Sequence, residues 1–175
     1  MSIDCVILDR DGVINEDSAD YIKTPKEWHP IAGSLDAIAR LSSVFPVYVA
    51  TNQAGVGRGI LTFSALMAIN DKMESAVSAA GGLITDIAFC PHHPDDNCRC
   101  RKPAPGLLLD LARRHGFDPA RAIFIGDSMR DIEAARAAGC QAGLVLTGHG
   151  EATLRENPAL AHAEDLRAWA DRLLG

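Results

Sequence analysis

The sequence predicts an α/β fold: a Rossmann-like three-layer α/β/α core with a parallel central sheet and no separate cap domain. Three observations carry this. Short, branched apolar runs recur along the 175 residues, each bounded by turn residues, as buried parallel strands require. Longer segments with helical apolar spacing alternate with them, and that alternation places helices on both faces of one sheet. The length suits one core burying roughly 70% of the unfolded surface, so residues 1–175 are expected to form a single domain.

The first strand is predicted over residues 3–8. Ser34 then caps a helix with apolar Leu35, Ile38 and Leu41, which leads to a second strand over 47–50. The glycines between 55 and 59 follow the second strand and lack dinucleotide-binding spacing, so they read as a flexible turn. Thr62 caps a helix carrying Leu66, Ile69 and Met73, and residues 84–89 form the third strand. Pro105 opens a helix bearing Leu108, Leu111 and Ala112 before a strand over 122–125. A helix from Ser128 ends at Gly139, a strand covers 142–146, and residues 163–174 are a terminal packing helix with Leu166, Trp169, Leu173 and Leu174.

Seventeen basic against twenty-three acidic residues give a net charge of -6, which argues against a surface for nucleic acid or anionic lipid. No apolar run is long enough to span a bilayer, and the N-terminus lacks the pattern of a signal peptide. A cytoplasmic location follows, with thiols reduced. The five cysteines are therefore read as metal ligands or packing rather than disulfides.

Asp9-Arg10-Asp11-Gly12 follows the first strand, putting two carboxylates over the sheet edge. Such a pair repels itself unless a cation joins it, and hard oxygen donors suit Mg²⁺. Alone this is an ordinary acidic turn. Three other strand-linked segments change the weighing. Thr51-Asn52-Gln53 offers a hydroxyl and amide donors, Arg101-Lys102-Pro103 offers fixed positive charge, and Gly126-Asp127-Ser128-Met129-Arg130-Asp131 offers two acids four residues apart. Singly, Thr51 is a turn residue and Lys102 a surface charge; jointly they are what phosphoryl chemistry needs.

The stretch from Cys90 to Cys100 places Cys-x-His, five residues, then Cys-x-Cys within a loop rich in Pro, Asp and Asn. Three thiolates and one imidazole form a closed set suited to structural Zn²⁺. His92 and His93 both compete for the imidazole position. Cys5 and Cys140 lie in or near strands and read as small core residues.

The four segments resemble the haloacid dehalogenase superfamily in its aspartate-dependent phosphatase branch, motif by motif and in order: Asp9-x-Asp11-Gly12, Thr51-Asn52, Lys102-Pro103, and Gly126-Asp127 with Asp131. With the cysteine loop added, the chain resembles the heptose bisphosphate phosphatase family, close to the histidinol-phosphate phosphatases. The resemblance implies Asp9 as nucleophile, Asp11 as general acid and base, and Thr51 and Lys102 as phosphoryl stabilisers. It implies Mg²⁺ on Asp9, Asp11 and Asp127, with Asp131 orienting Lys102 or metal-bound water, and structural Zn²⁺ on Cys90, His92, Cys98 and Cys100. Asp17, Asp20, Asn52, Gln53, Arg101 and Ser128 are expected on the substrate side, with Arg101 or Arg130 reading a second phosphate.

The implied reaction is phosphomonoester hydrolysis at C7 of heptose 1,7-bisphosphate, in lipopolysaccharide heptose precursor biosynthesis. Histidinol phosphate or another small sugar phosphate is the alternative substrate, and a zinc-loop binding module the alternative outside catalysis. A small-molecule partner, no nucleic acid, no membrane and a monomeric chain complete the expectation. The spacer between His92 and Cys98 is shorter than in many relatives, which removes loop surface near the site.

Overall fold

A computed structural model describes residues 3–175. Six parallel strands form one sheet in the order β3-β2-β1-β4-β5-β6. They are β1 (Cys5–Leu8), β2 (Val47–Asn52), β3 (Asp86–Cys90), β4 (Ala122–Gly126), β5 (Gln141–Val145) and β6 (His162–Ala163). The chain moves outward from β1 through β2 to β3, then returns to β4 on the other side of β1. This reversal opens a crevice above the C-terminal ends of β1 and β4, the usual place for a ligand in an open parallel sheet.

Both faces are covered, as the alternating apolar runs demand. Val6, Leu8, Val49 and Ile125 point to one side, where they meet α1 (Ser34–Ser42), α3 (Phe63–Ala79) and α7 (Leu166–Leu174). Cys5, Ile7, Ala50 and Phe124 point to the other, against α4 (Gly106–His115) and α5 (Met129–Ala138). The apolar stripe of α3, Leu66, Ile69, Met73 and Val77, is wholly buried. Each such side chain contributes about 1.5–3 kcal/mol on leaving water.

Thr62 caps α3 by accepting from the Ala65 amide at 3.0 Å. Ser128 caps α5 in a reciprocal box with Asp131, and Gly139 closes that helix in the left-handed region. Ser34 is not a cap. The N-cap of α1 is Gly33, and the Ser34 hydroxyl donates instead to the Ile14 carbonyl at 2.6 Å, tying the helix to the loop after β1. The glycine segment after β2 is also more ordered than its composition suggests, with a helical turn, α2 (Ala54–Gly57).

β2 extends to Thr51 and Asn52 because these residues pair with Phe89 and Cys90 of β3. Two late elements were not foreseen, α6 (Gly150–Glu156) and the two-residue β6. No helix is long and apolar enough to cross a membrane among the described residues.

Candidate active site

Asp9 is the first residue past β1, fixed by its amide donating to the Ile125 carbonyl of β4 at 2.9 Å. Its carboxylate accepts from the Arg10 amide at 2.7 Å and from Lys102 Nζ at 2.9 Å. Lys102 also pairs with Asp131 at 2.7 Å and donates to the Ala50 carbonyl at 3.0 Å. The lysine is thus a buried bridge between two motifs. Burial works against its charge, yet Asp131 and Asp9 hold its pKa above the ordinary value. Asn52 grips the Lys102 backbone on both sides, accepting from its N–H at 3.0 Å and donating to its carbonyl at 3.1 Å.

Asp127 faces Asp9 from the end of β4. Gly12 packs against Asp127 with φ +83°, and a Cβ on it would lie 2.2 Å from Asp127 Oδ2, so the turn admits only glycine. One oxygen each of Asp9, Asp127 and Asp131 lie within 4.8 Å of one another. With all three carboxylates ionised against the single ammonium of Lys102, two negative charges are in excess in a buried space. Burial pushes Asp9 from 3.8 up to about 8, with Asp131 and Asp127 adding to it against Lys102. Burial likewise raises Asp127 to about 6 despite the amide of His149 donating to it. A hard divalent cation fits this donor set.

That arrangement predicts a pH dependence. In the metal-free fold Asp9 and Asp127 retain protons that the unfolded chain releases from about pH 4 upward, so stability falls as pH rises from 4 to 8. The lowered pKa values of Asp11 and Asp131 act only below 3.8, and Lys102 stays charged throughout. A divalent cation such as magnesium, held there, would restore what ionisation removes. In thermal denaturation its Tm increment should be larger at pH 8 than at pH 5; an increment that shrinks with rising pH would contradict the charge balance described.

Asp11 is placed differently. Its Oδ1 accepts from Arg10 Nε at 3.0 Å and Asn15 Nδ2 at 2.9 Å, and its Oδ2 from Arg10 Nη2 at 3.1 Å and Gln53 Nε2 at 2.9 Å. Burial pushes the carboxyl up, but the Arg10 guanidinium and these hydrogen bonds outweigh it and hold the pKa below the usual value. Gln53 also donates to Thr51 Oγ1 at 3.0 Å.

Asp9, Asp11, Thr51, Lys102 and Asp127 line a cleft of about 210 Å³, with Asp17, Asn52, Gln53, Arg101, Ser128 and Arg130 around it. Asp20 is exposed and outside that lining, with its backbone carbonyl accepting from Lys23. Asn52, Gln53 and Ser128 spend their side chains on neighbours: on Lys102, on Asp11 and Thr51, and, for the Ser128 hydroxyl, on Asp131 at 2.7 Å. His149 was missed by sequence reading. Its ring meets Asp17 at 3.1 Å across the mouth while its amide holds Asp127. A Gly-flanked histidine just past the last long strand was the available signal.

The cysteine loop continues β3. Cys90 is fully buried, and its Sγ lies 3.5 Å from His92 Nδ1, 3.5 Å from Cys98 Sγ and 3.2 Å from Cys100 Sγ. A tetrahedron with zinc–sulfur bonds has edges of about 3.7 Å, so the donor set fits zinc. His93 is engaged elsewhere, capping the turn that follows through Asp95 N. The loop rests on α2, where a Cβ on Gly57 would come 2.4 Å from the His93 backbone nitrogen.

Fold and site together define a phosphoric monoester hydrolase of the haloacid dehalogenase type. A family model described as HAD-hydrolase-like matches residues 99–169. The D-glycero-β-D-manno-heptose-1,7-bisphosphate 7-phosphatase of Bordetella bronchiseptica is 48% identical over 173 residues, 97% of each chain. The enzyme of the same name from Pseudomonas aeruginosa is 51% identical over 155 residues, 88% of this chain and 87% of that one. The crystal structure of the B. bronchiseptica D,D-heptose 1,7-bisphosphate phosphatase with magnesium and phosphate superposes with a TM-score of 0.95 at 47% identity, covering 98% of both chains. The chain belongs to the D-glycero-β-D-manno-heptose-1,7-bisphosphate 7-phosphatase family.

Proposed function

We propose that the protein hydrolyses the C7 phosphate of D-glycero-β-D-manno-heptose 1,7-bisphosphate. The observation that carries the reading is the Asp9 carboxylate at the end of the central strand, bridged to Asp131 by Lys102 and flanked by Asp127. The likeness to the two bacterial phosphatases supports the choice of substrate.

In this reading an Asp9 oxygen attacks the C7 phosphorus, forming an aspartyl-phosphate as the bond from phosphorus to the C7 oxygen breaks. Asp11, which takes up a proton once it turns out of its cradle and away from Arg10, gives that proton to the departing alkoxide. It then takes a proton from the water that hydrolyses the aspartyl-phosphate, releasing inorganic phosphate and restoring Asp9. Thr51 and Lys102 hold the non-bridging oxygens where charge gathers. Asp9, the Asp11 backbone carbonyl and Asp127 hold magnesium, which supplies charge neutralisation during phosphoryl transfer. Cys90, His92, Cys98 and Cys100 hold a structural zinc. Residues 1–175 work as one domain, a cytoplasmic monomer on a small sugar phosphate, with Asp17, Arg101 and Arg130 at the substrate rim.

A substrate panel tests the reading. With magnesium, kcat/KM for the β-heptose bisphosphate should exceed that for histidinol phosphate and fructose bisphosphate by at least about tenfold, as expected where polar rim contacts are matched by one ligand only. A preference for histidinol phosphate would overturn the substrate assignment while leaving the hydrolase chemistry intact.

A further inference from the structure

The apolar stripe of α3 contains one exception. Asn70 follows Ile69 and precedes Met73 on the buried face, is 4% exposed, and replaces the hydrophobic residue that the helical spacing calls for. Its Oδ1 accepts from Arg10 Nη1 at 3.2 Å, and Arg10 is itself 1% exposed. The other two guanidinium nitrogens form a two-pronged fork on the Asp11 carboxylate, at 3.0 and 3.1 Å. All three nitrogens of a buried cation are therefore used, and the one prong not on Asp11 is fixed from the middle of a long helix. Departures from local pattern of this kind mark functional positions.

We infer that Asn70 is a positioning residue for hydrolysis, acting through Arg10 to hold the resting Asp11 carboxylate in the cradle from which it turns to exchange its proton with the leaving group. The inference rests on the role proposed above for Asp11. A guanidinium fork fixes a carboxylate in plane and direction only when the guanidinium itself cannot rotate. Asn70 supplies that restraint from outside the strand-end loops, so the general acid is referenced to a rigid element rather than to its own turn.

The leaving group separates positioning from a merely structural role. A sugar alkoxide needs the proton from Asp11, whereas p-nitrophenolate departs without one. Asn70→Leu should lower kcat/KM for the heptose bisphosphate about tenfold while changing that for p-nitrophenyl phosphate less than about twofold. Asn70→Asp, which keeps an oxygen acceptor for Arg10, should recover most of the loss. Arg10→Lys keeps the charge but not the fork and should show the same split, which keeps the test open should Asn70→Leu fold poorly. Equal losses on both substrates in these variants, or no recovery with Asn70→Asp, would overturn the inference. Asp11→Asn serves as reference: equal losses there would remove the acid role of Asp11 itself, a separate failure from one confined to Asn70.

Discussion

Asp9→Asn should abolish phosphatase activity, lowering kcat by at least about 10⁴-fold, because the amide cannot attack phosphorus and the acyl-phosphate route closes. The same substitution should make the metal-free protein more stable near pH 8. Burial and the neighbouring carboxylates raise the Asp9 pKa to about 8, so its ionisation there is unfavourable, and a neutral side chain of the same shape avoids that cost. Lys102 keeps its other partner, Asp131 at 2.7 Å, and is not left uncompensated. Steady-state kinetics and thermal denaturation on one preparation check both halves. Wild-type activity in Asp9→Asn would end the nucleophile assignment, whatever happened to Tm.

Removing the zinc proposed for the cysteine loop should be nearly as severe. Metal analysis should give about one zinc per chain under the four-donor arrangement, and Cys98→Ser or a strong chelator should remove it. Without a cation, burial pushes Cys90 up to about 12, and the loop loses the bonds that close it. The damage reaches the cleft because Lys102 lies two residues beyond Cys100 and follows an outermost strand. Asn52 clamps its backbone, but one side-chain clamp does not replace metal-coupled folding. The expected result is a fall in kcat/KM of about 10²-fold or more, as for a misplaced transition-state group, with a drop in Tm. Full activity in a zinc-free preparation would show that the loop is dispensable.

Much of the site was legible because its chemistry is local to strand ends. Asp9 and Asp11, Thr51, and Asp127 with Asp131 each occupy a short segment where a buried apolar run stops, and a parallel sheet collects such ends on one edge. Long-range partners were less legible. Nothing near Asn70 in the chain hints that it meets Arg10, sixty residues away, because that contact comes from how α3 crosses the sheet. His149 escaped for a related reason: its partners Asp17 and Asp127 are brought to it only when β5 and β1 share a sheet. Ser34 illustrates the reverse, a local cap signal displaced by one residue: Gly33 takes the N-cap, Ser34 begins the helix, and its hydroxyl donates to the Ile14 carbonyl. The two-residue β6 carries too few residues for any periodicity.

The excess of two negative charges around Asp9 also implies selection by valence. Once Asp9 and Asp127 are ionised, a monovalent ion would leave one charge uncompensated in a poorly hydrated space, where residual charge is costly, whereas one divalent ion closes the balance. Potassium, however abundant, should therefore fill the centre poorly, and under the proposed reading the magnesium concentration sets how much of the folded protein is competent at any moment.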